Sequence, residues 1–590
     1  PAPIKELIDW DQRRLDVEVK YAQVVEQFDI EDILDEKLQA LPDEAVPPLA
    51  FPIEVNNLTV TDDTGTTLLS RARLTISAGT SLAVVGQSNS GADVLADTIV
   101  RLYLPDSGSV SFGGADLMDI GESVIGRRVG YAAGDIFLPQ GSLRDSLLYA
   151  LKHQPVEERT YEGPDALSRQ RFLNEAEITA NSKLDIDADW LLIDNDPETS
   201  GEGMAIHKRL VEVLCAAGLE DDVFNLGLRG KVDPDTNPHF ADKILAARHA
   251  LRLHIDEEKM SELVELFDPE QFAVQATIGE NLLFGTPVGD EFAARNLAQN
   301  EYFRSVLRDA GLEDMLLAKG VELAETTIGL FQDLPPDHEF FNQITFMDAE
   351  RLPEYAGLLK RAKQAGETAL TLDERYMLIE LTFSYVEPRH RMGLVDEELQ
   401  DRVLDGRNRF KSGLPEKLAG SISFYDPETY NVAASVQDNL LMGRVAHGIA
   451  RAPQRVFEVM SATLKEMQLR DEILDLGLEF DIGSAGKRLS SVQRQKLGLA
   501  RALIKQPDLL VLNRPLSALD GRQQAAILGD VMNYVARQSR RPAIVWVVSD
   551  AALASDFDEI CVMAGGKILE TGKRETLLKS GGAYSKVLAE

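Results

Sequence analysis

SLAVVGQSNSGADVLADTIVRLYLPD, residues Ser81–Asp106, is the stretch that fixes the fold class. Leu82–Val85 is a short apolar run rich in β-branched residues, which predicts a buried strand. Gly86-Gln87-Ser88-Asn89-Ser90-Gly91 follows at once, and Leu95, Ile99 and Leu102 then recur at helical spacing. Strand, Gly-rich loop and helix form the frame in which backbone N–H groups and a helix N-terminus cradle phosphates. The two glycines are spaced as in G-x-x-x-x-G-K-[ST], but the next two residues are Ala92 and Asp93. Losing the lysine removes a charge-assisted bond worth about 1.5–3 kcal/mol. An aspartate there adds repulsion on the order of 4 kcal/mol at about 4 Å and an effective dielectric of about 20. A plain strand-to-helix turn remains the alternative reading of this loop.

A chain of 590 residues, 44% hydrophobic, is long enough for more than one domain and a large core. Its net charge of −36 argues against nucleic acid and against docking on anionic lipid by charge alone. Cys215 and Cys561 have no metal-ligand spacing and fit a reducing compartment. No run of apolar residues is long enough to span a bilayer. The start, Pro1-Ala-Pro, reads as a cut inside a longer protein.

Residues 4–41 are charged and helical in period, with Leu7, Leu15, Val19, Ala22, Val25 and Phe28 as an apolar stripe. Pro42–Pro52 is a Pro-rich linker. Short β-like runs follow at Ile53–Val60, Arg73–Ile76 and Gly108–Phe112. Near the far end, Leu489–Leu503 predicts a helix with a Ser-rich start and Leu509–Leu512 a buried strand. Ile544–Val548 predicts a further strand, and Ile560–Met563 with Lys567–Leu569 a hairpin through Gly565-Gly566.

In this order the motifs resemble the nucleotide-binding domain of an exporter-type ABC transporter. Leu489-Ser490-Ser491-Val492-Gln493 resembles that family's signature LSGGQ, and Leu509–Asp520 resembles Walker B plus D-loop. Pro105–Ser109 resembles the turn after the first helix, and residues 4–38 the helix leaving the membrane domain. The likeness covers about 50–140 and 415–590 well and 4–50 loosely. It implies a P-loop NTPase-like α/β core whose family activity is Mg-dependent ATP hydrolysis coupled to transport.

Against the family pattern, the chemical positions are altered. Gly134 stands for the Q-loop glutamine, Asn513 for the Walker B aspartate, Arg514 for the catalytic glutamate and Asp550 for the switch histidine. No aromatic residue near 58–63 can stack on adenine, and Val492 obstructs close backbone approach to phosphate. Ser517–Asp520 is intact. Phosphoryl transfer needs metal, positioned water and charge stabilisation, and Arg514 stays protonated and cannot serve as a base. If the family geometry holds, Arg514 lies beside Asp93 and Asp550 and replaces metal and phosphate with an ion pair. Drift without structural consequence is the alternative.

Residues 141–434 carry an internal repeat. Ser142–Ala150, Thr277–Gly285 and Ser435–Gly443 echo one another, each opening on a Ser/Thr helix cap, and Phe267–Gln271 echoes Tyr425–Thr429. Gly218–Leu251 parallels Gln468–Leu503, and Gly311–Leu330 is a shorter echo. These predict about three degenerate copies of the family's helical subdomain. His207, His239, His249 and His254 make no metal pair, and the aspartates of 185–196 lack the Gly and Glu of a calcium loop. Glu387–Arg391 is a small basic island suited to a protein contact or a solvated loop.

The expectation is thus an α/β ABC-like nucleotide-binding domain with a large mainly α-helical insertion and an N-terminal helix. Its segments are 1–50 (helix and linker), 51–140 (first core part), 141–434 (insertion) and 435–590 (second core part). The sequence predicts a catalytically degenerate, structural or regulatory part of an exporter-like membrane protein, with no cofactor, metal or nucleic-acid partner expected. Its expected partners are a membrane domain upstream of Pro1 and a second nucleotide-binding domain, and its place the cytoplasmic face of the membrane. An atypical ATPase using ATP and Mg²⁺, and a scaffold unrelated to transport, are the alternatives.

Overall fold

A computed structural model describes residues 2–28, 35–39, 46–157, 159–191, 201–331, 351–365 and 370–589. The tail of the expected calcium-like loop, Asp194–Asp196, and part of the linker lie outside the described residues. The chain divides into two compact units, residues 1–221 with 481–590, and residues 222–480.

The first unit is built on a six-stranded sheet. Its order is Lys567–Gly572, Glu559–Ala564, Ser81–Val85, Ala543–Val548, Leu509–Asn513, Val129–Ala133. All neighbours are parallel except the closing hairpin, which turns through Gly565-Gly566 as its sequence predicts. The central strands are buried along their whole length, as continuous apolar runs in a parallel sheet must be. A second, antiparallel sheet holds Thr67–Ile76, Ile53–Thr61, Ser107–Phe112 and Ala115–Asp116. Between the two sheets, Val55, Leu58 and Val60 pack with Leu95, Ile99, Val511 and Val545.

The helix after the Gly-rich loop runs over Ala92–Ile99 and buries Leu95 and Ile99, but it stops short of Leu102, which is 61% exposed. Asp520 accepts from Gln523 N at 2.9 Å and caps the helix Gly521–Ala536. Ala2–Phe28 is helical, and its apolar residues Leu7, Leu15, Val19, Val25 and Phe28 are all exposed in this chain.

The sequence echoes fold alike in both units. Ser142, Thr277 and Ser435 each cap a six-residue helix, accepting from the backbone N–H of Asp145, Glu280 and Asp438. Each echo of the downstream piece is a helix, a tight turn and a second helix. The turn residues Gly218, Gly311 and Gln468 all take positive φ, at 63°, 67° and 59°. Within residues 222–480 two copies face each other. Val264–Leu266 pairs with Gly443–Val445, and Gly285–Pro287 pairs with Ile422–Phe424. Phe267 N donates to Met442 O and Tyr425 N to Phe284 O, both at 2.9 Å, and the Phe267 and Tyr425 rings stack at 4.6 Å. The exchange therefore reads the same from either copy.

Two buried arginines lock these copies. Arg407 donates to the carbonyls of Pro269, Gln271 and Asn281. Arg248 donates to those of Pro427, Thr429 and Asn439, the matching positions. The helices Glu220–Arg229 and Arg470–Leu478 cross at Gly227 and Gly477, where a Cβ would lie 2.0 Å from Ile473 O and from Val223 O respectively. Of the basic island, Glu387 is a fastener: its carboxylate accepts from Gly393 N, Val395 N and the Tyr385 hydroxyl.

Candidate functional site

Four elements of the first unit meet at the end of the central strands: the loop Gly86–Gly91, the helix behind it, the end of Leu509–Asn513 and the end of Ala543–Val548. In α/β sheets this C-terminal edge is where ligands bind. The loop is folded on itself. Gly86 N donates to Val548 O (3.2 Å), Ser90 N to Gln87 O (3.1 Å) and Ala92 N to Ser90 Oγ (3.3 Å). Gln87, Ser88 and Asn89 form its exposed crest, and Asn89 takes a left-handed conformation. Gly91 must be glycine: its φ is +88°, and a Cβ would lie 2.9 Å from both Gly566 Cα and Leu68 O.

Arg514 fills the place in front of this loop. Its Nε donates to Asp93 Oδ1 at 2.6 Å, and its Nη2 to Gly86 O at 2.8 Å and Gln87 O at 3.1 Å. Its Nη1 donates to Ser549 Oγ. The ion pair with Asp93 expected from sequence is therefore present, and the one with Asp550 is absent. Asp550 instead accepts from Ala552 N at 2.8 Å and starts the next turn, so Ser549 takes the place foreseen for it. With its side chain 17% exposed, Arg514 is largely withdrawn from water.

Behind this pair lies a second network that the motif positions do not disclose. Asn513 Nδ2 donates to Asp97 Oδ1 at 2.8 Å, and the Tyr131 hydroxyl donates to the same oxygen at 2.7 Å. Burial, with Asp93 nearby, holds the Asp97 carboxyl above the usual carboxylate range, and burial beside Asp97 raises the Tyr131 phenol. Asn513 Oδ1 is buried without a hydrogen bond among the described residues.

Gly134, at the Q-loop position, lets another residue in. Gln495 Nε2 donates to Gly134 O and Ser517 Oγ, both at 2.9 Å, and its Oε1 accepts from Ala518 N at 2.8 Å. A Cβ at Gly134 would lie 2.8 Å from Ser517 Oγ. The signature-like segment starts a helix, Ser491–Ile504, in which Ser490 and Gln493 cap each other and Leu489 is buried. Gln495 lies one turn into that helix, so its side chain, not the motif, makes the connection to Gly134 and Ser517. Asp97, Tyr131, Gln495 and Ser549 are the site residues the motif reading misses. The only sequence signal for Gln495 is a second glutamine two residues past Gln493.

Among the described residues, Arg514 is the cation bonded to the loop, and it is paired with Asp93. A phosphate entering here would meet a committed guanidinium and an aspartate, and the Gly86, Ser90 and Ala92 amides are already bonded within the protein. Among the described residues no group of His, Cys, Asp and Glu is placed to hold a metal ion. No described helix is long and apolar enough to cross a membrane.

No family model matches the chain. It is 29% identical over 187 residues to the ABC multidrug transporter mdr4 of Aspergillus fumigatus, covering 32% of this chain and 13% of that protein. It is 29% identical over 180 residues to the probable multidrug resistance ABC transporter ATP-binding/permease protein YheI of Bacillus subtilis, 29% of each chain. It is 29% identical over 196 residues to the mouse mitochondrial potassium channel ATP-binding subunit, covering 33% of this chain and 26% of that one. The matched region thus spans less than a third of each of these relatives. A bacterial Atm1-family ABC exporter with ATP bound aligns at 11% identity and a TM-score of 0.40, over 98% of this chain and 47% of its own. Over about a third of its length, and in the order of its motifs, the chain is thus similar to ABC proteins of the exporter type.

Proposed function

We propose that the chain is the nucleotide-domain part of an exporter-like membrane protein in which the ATP site has become a structural joint. The observation that carries this reading is Arg514, bonded at once to Asp93, Gly86 O and Gln87 O across the mouth of the loop. In this role the guanidinium supplies the fixed positive charge that Mg²⁺ and lysine supply in an active site, and Asp93 supplies the anion. The joint ties the loop to the end of strand Leu509–Asn513 permanently instead of once per catalytic cycle. The exposed apolar residues of the helix Ala2–Phe28 supply a surface for a membrane-embedded segment, and Ser490–Gln493 faces outward for a second nucleotide domain. The chain would then act by pairing, at the cytoplasmic face of a membrane.

Phosphate release from MgATP by the purified chain tests the reading. The expected rate is that of the buffer alone, unchanged by Asp520→Ala. Turnover above background that is lost with Asp520→Ala would overturn it.

A further inference from the structure

The unit of residues 222–480 encloses a cavity of about 480 Å³. That is within the size range of small-molecule sites. Its floor is apolar, formed by Leu283, Phe292, Leu297, Leu381 and Phe383. Charged side chains stand around it, and their pairing is uneven. Arg295 is paired with Asp290, Arg351 with Glu354 at 3.3 Å, and Arg444 with Glu280 at 2.6 Å and Asp438 at 3.0 Å. These cations are matched by their own carboxylates, and Glu380 is left over. Arg351 is the one cation whose field reaches Glu380, and Glu380 makes no hydrogen bond or ion pair among the described residues. Three arginines and three carboxylates, Glu280, Asp438 and Glu380, line the cavity; Asp290 and Glu354, outside the lining, engage Arg295 and Arg351, so Glu380 is the lining carboxylate left without an ion pair among the described residues.

The position of Glu380 also favours a cation. It lies in the last turn of the helix Leu372–Phe383, which has no basic residue in that turn. The carbonyl end of a helix carries partial negative charge and favours a cation. Ser384, one turn on from Glu380, also lines the cavity and offers a second oxygen on the same face. Burial holds the Glu380 carboxyl above its ordinary range, with Arg351 opposing the rise.

We propose that this cavity binds an organic ammonium ion with an apolar body, its N–H groups donating to Glu380 and Ser384 and its body resting on Phe292, Leu297 and Phe383. The site is separate from the loop Gly86–Gly91 and does not depend on the reading of that loop. Arg295 and Arg351 at the rim disfavour a second positive charge and confine the preference to monocations.

Dansylcadaverine, a primary ammonium with an aromatic body, is the probe, titrated into the full chain by fluorescence. The account expects saturable blue-shifted emission, and no such signal from dansylglycine, whose charge is negative. Glu380→Gln keeps the shape and removes the charge; it should weaken dansylcadaverine by about tenfold or more, the loss of one charge-assisted bond. Far-UV circular dichroism checks that this variant folds. If it does not, Ser384→Ala serves, with an expected weakening of about threefold. Equal binding of the two dansyl compounds, unchanged affinity in the folded Glu380→Gln chain, or no saturable signal would each overturn the proposal.

Discussion

Arg514 has a backbone that an arginine adopts only under constraint, with φ at 48°. A left-handed non-glycine residue costs about 1–2 kcal/mol. The bonds to Asp93 and to two loop carbonyls offset that cost, being charge-assisted and largely withdrawn from water. Arg514→Ala should lower stability by about 1–3 kcal/mol in chemical denaturation, and Arg514→Lys by about half as much, since an ammonium cannot span the same acceptors. An unchanged midpoint in Arg514→Ala would show that the joint bears no strain. A second test at this scale concerns His390, whose pKa burial and the neighbouring Arg389 lower from 6.5 to about 4. Above pH 6.5 the ring is neutral in both the folded and unfolded chain. As pH falls from 6.5 towards 4, the unfolded chain takes up the proton first, so stability is lost across that window. The loss is on the order of 2 kcal/mol, and His390→Gln should flatten it in pH-dependent unfolding. Among the site residues, Ala92, Asp93, Asn513 and Arg514 are legible in the sequence because each breaks a motif at a fixed place. Asp97, Tyr131 and Ser549 are not, because their partners are fixed by tertiary contact and no motif marks them.

The helical copies show what one element does for another. Their opening segments, around 137–150, 268–285 and 426–443, come in chain order, as do the closing helices Pro238–Glu257, Glu397–Ser412 and Ser491–Ile504. Their arginines do not pair in that order. Arg407 holds the middle segment, Arg248 of the first closing helix holds the last segment, and Arg501 of the last closing helix donates to Phe137 O in the first. The outer two copies have exchanged closing helices. The caps and left-handed turns of this repeat are legible because they are local. The exchange is not, because equivalent helices present equivalent arginines and only the folded chain chooses between them. Arg248→Met should expose amides of 426–439 to hydrogen exchange and leave 268–281 protected, and Arg407→Met should do the reverse. Each should cost about 3–5 kcal/mol, the scale of leaving several buried carbonyls without their donor. Loosening of 137–150 by Arg248→Met would refute the exchange. At the crossing of Glu220–Arg229 with Arg470–Leu478, Gly227→Leu should cost more than about 3 kcal/mol in thermal unfolding, because the new Cβ meets a carbonyl rather than a flexible side chain.

At the scale of the molecule, one nucleotide-type core is assembled from the two ends of the chain, with residues 222–480 forming a unit of their own between them. The central strands were readable at both ends of the sequence, since buried parallel strands are its strongest apolar runs, while their order is set by the folded sheet. The unit boundaries were not, because the exchange of closing helices moves the division to 221 and 480, inside the outer copies. On the proposed reading, the core keeps the frame of a nucleotide site and has replaced its cations and metal seats with the Arg514–Asp93 ion pair. Calorimetric titration of the full chain with MgATP, repeated on Ala92→Lys/Asp93→Thr and on that pair combined with Arg514→Glu, tests this most directly. The account predicts no saturable heat up to about 1 mM for the natural chain, a regime near −4.1 kcal/mol, and binding only once Arg514 has also been replaced. Submillimolar, magnesium-dependent binding of ATP by the natural chain would contradict it.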